Sequence, residues 1–475
     1  MFRFHSILTI SLLSICAVFA GCRSTTQFGG GNQPGNSTVA LAITDFPPTF
    51  VSILSAEVTL TGATFTPGNA PIFSGSTTIE LTRLKTDIAY LATATNVPAG
   101  SYTGVTLTFA NPKLTIENDT TSVIGGCAVG SICTIVPTTV ANLSTTASLQ
   151  TLSIAANSVT GLLIDVNLDN LLSATLGADF KNGVSISSFT PAGAGAPLVG
   201  AEDVVGQVSS PDSAHNTFSL QNATGSFSLA VDSSTTFFQF PSSACTTTGF
   251  ACLHANQILS VDIGIRADGT PVARNILFED ADNSDTEVEG MITSTNMGAQ
   301  QFSIVTLAES SSVSGLQIGN TATVQYSISP ATTFDVDFVH ADNVQVSTTC
   351  CSFVPLITSS DLSVGQQVSI RRNSSSSGST IIADRIRLRS TRVVATVSSI
   401  GSPSFFLTSL PSIYTGHTIS TIQVEVPTSA ILSDENNNSI PFTGITNNFV
   451  VAARGPLFNV SGTRTLVATK VALQP

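Results

Sequence analysis

Along most of this chain, apolar and polar residues alternate with a period of two, the mark of half-buried strands. Val39-Ala40-Leu41-Ala42-Ile43-Thr44 opens the β region as an apolar run, Ala56-Glu57-Val58-Thr59-Leu60-Thr61 alternates, and Thr78-Ile79-Glu80-Leu81 continues the alternation. Val97 to Tyr102 (VPAGSY) reads as a turn into Val105-Thr106-Leu107-Thr108-Phe109. Pro presets one turn dihedral there, and Gly tolerates a positive one. Leu162 to Leu168 and Val184-Ser185-Ile186 complete a β region from Thr38 to about Ala192. Leu84 to Ala94 fits either a short helix or a meander.

Pro191 to Pro197 (PAGAGAP) reads as a linker, and a loose internal repeat follows it. Val205-Gly206-Gln207-Val208-Ser209, Glu289-Gly290-Met291-Ile292-Thr293 and Val394-Ala395-Thr396-Val397-Ser398 each start a unit. Aromatic strands come next: Phe218-Ser219-Leu220, Phe302-Ser303-Ile304 and Phe405-Phe406-Leu407. Thr235-Thr236-Phe237, Thr332-Thr333-Phe334 and the weaker Thr428-Ser429-Ala430 occupy a third position. Each unit nears its end at Ala273 to Ile276, Ala383 to Ile386, or Ala468 to Val471. In the first two units Leu259 to Ile263 and Gln367 to Ile370 precede that ending.

The opening strand with Thr44-Asp45-Phe46-Pro47, the paired strands after it and the Val97 to Phe109 stretch resemble domain-of-unknown-function family 4382. That resemblance covers about a third of the chain and implies an N-terminal β-sandwich with no assigned activity. The threefold repeat resembles domain-of-unknown-function family 5666, which implies small OB-like β-barrels in tandem. The fold expected is therefore all-β: a β-sandwich over 38–192, a linker at 193–201, and barrels over 202–280, 281–389 and 390–475.

The N-terminus reads as an address. Arg3 precedes an apolar run from Ile7 to Phe19, the pattern of an export signal over 1–21. Val18-Phe19-Ala20-Gly21-Cys22 resembles the bacterial lipobox, which implies cleavage before Cys22 and lipidation of its thiol. An ordinary secretory signal with an incidental cysteine is the plainer alternative. Arg23 to Ser37 is polar and Gly-rich, so 22–37 reads as a lipidated Cys and a flexible tether. The expected location is the cell envelope, lipid-anchored; Arg23 rather than Asp follows the Cys, which by resemblance to proteobacterial lipoprotein sorting implies the outer membrane, on its periplasmic or its surface side.

The chain has 475 residues, with 17 Lys and Arg against 30 Asp and Glu, for a formal charge of −13. That balance, without an evident cluster of cations, argues against a nucleic-acid partner. Six cysteines remain beyond the signal and Cys22, as three local pairs: Cys127 and Cys133, Cys245 and Cys252, and Cys350 with Cys351. In an exported chain an even set reads as disulfides, the first two pairs as local staples. The adjacent third pair is a structural vicinal bridge, a cross-paired set, or a redox or metal site.

Little of the chain points to chemistry. Glu279 to Glu287 (EDADNSDTE) is acidic, which makes Asp280, Asp282 and Asp285 weak calcium candidates, although the EF-hand spacing fails. The simpler reading is a solvated, charge-repelled linker. Asp165-Val166-Asn167-Leu168-Asp169 reads as a strand with one wet face, and Asp434 to Asn438 as a hairpin loop or metal loop. Nucleophilic catalysis needs a base, yet His215, His254, His340 and His417 are scattered among the repeats and no nucleophile motif accompanies them. Trp is absent and Tyr numbers four, so the aromatic platform usual at sugar sites is missing; most of the 27 Phe read as core. No cofactor is expected. The function expected is a non-catalytic, lipid-anchored binding or scaffolding module, its partners the membrane and an envelope protein or polysaccharide. A carbohydrate-binding adhesin is the first alternative and an envelope hydrolase the second.

Overall fold

The computed structural model describes residues 36–46, 52–84, 89–189, 191, 204–222, 225–241, 245, 249–281, 286–309, 316–327, 331–337, 351, 357–434 and 438–474. The expected signal, Cys22, the tether up to residue 35, most of the linker, Asp282, Asp285, His340 and Cys350 lie outside the described residues, whereas Asn36 and Ser37, expected in the flexible tether, are already paired in the first strand. Among those described, no helix is long and apolar enough to cross a membrane.

The chain is all-β: an N-terminal sandwich followed by three small barrels. One sandwich sheet orders Val184–Phe189, Val159–Asn167, Asn36–Phe46 and Ala89–Pro98. The other is built on Ser52–Thr66 and Gly100–Glu117, flanked by Pro71–Glu80, Ile132–Ile135 and Ser144–Ile154. Val39, Leu41 and Ile43 point from the first sheet at Leu60, Phe65, Leu107 and Phe109 of the second, forming one core. Ala40 faces the opposite way and packs with Tyr90 on Ile265 of the first barrel. The opening strand is therefore buried on both faces, which explains its continuous apolar run. Leu81–Leu84 forms a single 3-10 turn and Ala89–Pro98 is a strand, so the part of the ambiguous segment from Ala89 to Ala94 is strand, while 85–88 lie outside the described residues.

The three barrels share one topology. In the first, Val204–Val208, Thr217–Asn222 and Gly225–Ala230 pair in sequence; Ile258–Ile265 pairs back onto Val204–Val208. Pro271–Asp280 then closes the barrel by antiparallel pairing with Ile258–Ile265 and parallel pairing with Gly225–Ala230. The second repeats this with Thr286–Asn296, Gln301–Glu309, Thr321–Gln325, Gln367–Arg372 and Thr380–Leu388. The third repeats it with Ser390–Ile400, Ser404–Thr408, Ile422–Glu425, Val450–Val460 and Thr463–Val467. A short extra strand in each unit, Thr236–Phe238, Thr333–Val336 or Ile431–Ser433, lies parallel to the chain's last run in that unit. Closure leaves the principal strands without a long free edge. Small side-chain devices recur too: Thr235 donates to the Ala273 carbonyl at 2.6 Å and Thr332 to the Ala383 carbonyl at 2.8 Å.

The sandwich carries all three barrels. Thr93 donates to the carbonyl of Gly269 in a first-barrel hairpin at 2.8 Å. In the second barrel, Lys113 Nζ donates to the Ile318 carbonyl at 2.6 Å, while Thr115 and Thr134 donate to that of Gly319. Gly319 has φ +79°, and a Cβ there would lie 3.1 Å from the Thr115 hydroxyl and 3.2 Å from Ser55 Oγ, so glycine fits both the turn and the contact. From the third barrel, the Ile413 N–H donates to Ser52 Oγ at 3.2 Å, and His417 Nε2 lies 3.6 Å from Glu117 Oε1.

Candidate functional site

The densest chemistry lies where the barrels meet, and β-bulges aim it there. In the second barrel Arg371 pairs with Arg385 and Arg372 with Ala383, so Asp384 is an extra residue. That insertion shifts the alternation: Ile381 and Ala383 before it, and Ile386 and Leu388 after it, all enter the core. Arg385, Arg387 and Arg389 are left on the other face. In the first barrel Ile258 pairs with Asp280 and Leu259 with Phe278, making Glu279 the extra residue. Its side chain leaves the barrel and enters the row of arginines.

Glu279 is 1% exposed and binds all three guanidinium groups. Arg385 Nη2 donates to its Oε2, with Arg385 Nη1 on its backbone carbonyl at 3.0 Å. Arg387 Nη1 donates to Oε2 at 2.7 Å, and Arg389 Nη1 to Oε1 at 3.3 Å. Asp335 takes Arg387 Nε at 2.8 Å, and Asp337 lies 2.8 Å from Arg389 Nη1. Burial works against the Arg387 charge, but Glu279, Asp335 and Asp337 outweigh it and hold its pKa above the ordinary value. Glu287, 3.2 Å from Arg385, goes the other way: burial outweighs the arginines and pushes its carboxyl up to about 7.

The network runs on into a cavity of about 110 Å³ bordered by the sandwich and all three barrels. Arg389 Nη2 lies 3.3 Å from Glu289 Oε1, and Arg83 Nη2 lies 2.8 Å from Glu289 Oε2. Glu80 lies on the sandwich side with Oε1 accepting the Ala56 N–H at 2.8 Å and Oε2 the Arg83 N–H at 3.0 Å. Arg392 also lines the cavity. Burial and then the Arg83 charge push Arg392 down to about 9, against an opposing pull from Glu80. Arg454 is pushed down to about 9 by burial and by Arg83.

These findings correct two expectations. The acidic run is not a solvated linker at its ends, because Glu279 and Glu287 are each 1% exposed and ion-paired with Arg385. Cations do cluster, with Arg385, Arg387, Arg389 and Arg392 in one short stretch, and Glu279, Glu287, Asp335 and Asp337 face the first three of them. The signal lay in Arg385-Ile386-Arg387-Leu388-Arg389, whose period of two puts the cations on one face of a strand.

The remaining candidates are scattered. Cys127–Cys133 and Cys245–Cys252 are disulfides, and Cys351 is disulfide-bonded. Asp280 Oδ2 pairs with Arg371 at 3.1 Å, and its Oδ1 accepts the Ala281 N–H at 2.7 Å. Among the described residues no group of three or more metal-ligating side chains assembles. Asn167 ends its strand and caps a short helix, Leu168–Leu171, by accepting from the Asn170 N–H. Asp434 accepts from the Asn438 backbone N–H at 2.8 Å and side-chain amide at 2.9 Å, a hairpin-loop geometry. His215 meets Asp212 at 2.8 Å on the surface, and His417 meets Glu117. Phe65, Phe180, Phe218, Phe302 and Phe405 are fully buried, whereas Phe449 is exposed.

No protein-family model matches this chain, and no curated protein matches its sequence. Among solved structures it is similar to drosophila Unr CSD456, with 12% identity over 58% of this chain and 98% of that one, at a TM-score of 0.13.

Proposed function

We propose that this chain is a lipid-anchored cell-envelope protein that works without catalysis, as a binding or scaffolding module. The observation that carries this reading is the way the sandwich and barrels interlock: every barrel docks on the sandwich, and the first two share the ion network around Glu279. Such an assembly presents a fixed surface rather than a string of mobile spacers. His215 faces the Asp212 carboxylate on the surface and His417 faces Glu117, and the two lie in different units. Nucleic acid is disfavoured as a partner because Arg385, Arg387 and Arg389 are committed to buried carboxylates rather than displayed to phosphate. The anchor rests on the lipobox resemblance at Cys22, with membrane on one side and an envelope protein on the other.

In-cell crosslinking of the lipidated protein tests the module. Recovery of one envelope protein in stoichiometric amount is expected; recovery of polysaccharide instead would replace scaffolding by glycan adhesion. Fractionation of Cys22→Ser tests the anchor. The variant should leave the membrane fraction, and unchanged fractionation at unchanged mobility would remove the anchor from the reading.

A further inference from the structure

The two ends of the sandwich differ in charge. At one end Asn36, the first described residue, pairs with Pro98, and the pairs Thr38 with Val159, Gly100 with Ile154 and Phe189 with Gly161 lie beside it. The turn 66–71 belongs to the same end, because Thr66 pairs with Gly104. Turns 98–100 and 154–159 cross between the sheets there, and Pro67, Pro98, Ala99, Ala155 and Ala156 are exposed on them. No Asp, Glu, Lys, Arg or His occurs in 36–44, 58–79, 89–112, 120–164 or 182–189, the stretches that build or flank this pole.

The charges of the sandwich, among its described residues, lie toward the other pole. Asp45, Glu80, Lys113, Glu117 and Asp165 stand in the far parts of their strands, and Glu57 is in register with both Glu80 and Lys113. Asp165 comes six residues after Val159, so about 20 Å of strand separates it from the uncharged turns. The Debye length in physiological salt is about 8 Å, so the field of such a carboxylate is largely screened at that distance. Beside the uncharged pole, the first-barrel hairpin at Gly269 holds Arg266 at 3.4 Å from Asp232 and 3.6 Å from Asp268, so both signs occur together there. The chain also enters the sandwich at this pole. Asn36 is fourteen residues from Cys22, and a Gly-rich polar segment of that length spans about 20 Å.

We propose that this pole is the face the molecule rests on the bilayer, its small uncharged turns against the headgroups of an anionic membrane and its carboxylates turned away. Two independent features carry the inference: the point where the tether enters and the absence of charge around it. A carboxylate brought within a Debye length of an anionic leaflet loses about five-fold in population. With a formal charge of −13 on the chain, other orientations meet that repulsion several times over. The proposal rests on the lipid-anchor reading and names the face that meets the membrane.

The chain has no Trp, so one substitution supplies a single fluorophore. Ala99→Trp and Ala156→Trp place it in two exposed turns of the uncharged pole, and Val123→Trp places it in the exposed loop that follows Glu117 at the other. Each lipidated full-length variant is reconstituted into vesicles of phosphatidylethanolamine and phosphatidylglycerol that carry a spin-labelled lipid. Flotation with the vesicles reads the anchor, and quenching by the labelled lipid reads the face. Ala99→Trp and Ala156→Trp should be quenched at least three-fold more than Val123→Trp, and either pole variant carries the test if the other does not fold. Equal quenching at both poles, or stronger quenching of Val123→Trp, in protein that floats would overturn the proposal and leave the anchor standing. Protein that does not float would overturn the anchor and the proposal with it. Without vesicles, a blue shift of the pole variants that grows with protein concentration would assign the pole to a second copy of the chain instead.

Discussion

Where the first barrel meets the second, Glu279 lies among Arg385, Arg387 and Arg389; where the second meets the third, hydrocarbon does the same job. There Met291, Val305, Leu307 and Val364 share a cluster with Val393, Leu407 and Leu457, and Phe458 and Val467 of the third barrel enter the core of the second. One barrel topology thus supports two junctions of opposite chemistry. Directional bonds fix a single angle of approach, and they leave a buried charge uncompensated when one partner goes. Apolar packing is less directional and tolerates change so long as volume is conserved.

The sharpest break of this contrast is Glu279→Ala, which removes the one carboxylate that all three guanidinium groups share and leaves Arg385 on Glu287, Arg387 on Asp335 and Arg389 on Asp337 and Glu289. Loss of a buried partner costs about 3–5 kcal/mol, so urea denaturation should show a drop of that order. A drop below about 1 kcal/mol, the scale of an exposed pair, would mean that Glu279 does not hold the junction. The apolar junction has its own weak point at Gly365. It has φ +85°, and a Cβ there would lie 2.1 Å from the Tyr414 ring, whose hydroxyl donates to the Gly365 carbonyl at 3.2 Å. Gly365→Ala should cost about 1–3 kcal/mol, the range for overpacking, and Gly365→Ala with Tyr414→Leu should recover part of it. No recovery in the double variant would place the strain in the backbone instead.

The ionic junction should respond to pH through Glu287, held at about 7 by burial against an ordinary 4.5. With the folded value the higher, its stabilising contribution is complete below pH 4.5 and is lost as pH rises through about 7. Wild type should lose more melting temperature between pH 5 and pH 8 than Glu287→Gln; equal losses would assign the dependence to another group. The smallest effect expected is Thr115→Val, which removes a hydroxyl from the Gly319 carbonyl, where Thr134 still donates. About 1 kcal/mol in chemical denaturation is the scale of one such bond, and a loss of several would make it a principal contact of the sandwich with the second barrel.

Most strands were readable because burial on one face enforces a period of two, which Ala56 to Thr61 and Phe218 to Leu220 display directly, while Val39 to Ile43 was readable as a continuous apolar run. The order of elements in the repeats was readable for the same reason. Two short cysteine loops announced their own disulfides. The junction was not, because a bulge at Asp384 or Glu279 depends on register with a partner strand, and register is a property of pairs. Glu279 and Arg385 are 106 residues apart, so nothing local ties the acidic run to the arginine comb. The same holds for the cavity, whose charged lining comes from Glu80 and Arg83 in one unit and Glu289, Arg389 and Arg392 in others.

Asn36–Phe46 sits between a parallel neighbour, Val159–Asn167, and an antiparallel one, Ala89–Pro98. A tension entering the chain at Asn36 acts along the axis of that strand, and both neighbours oppose it in shear. Under such a load the hydrogen bonds of both ladders would yield together rather than singly, so a pull from the proposed anchor would meet the sandwich in its stiffest direction.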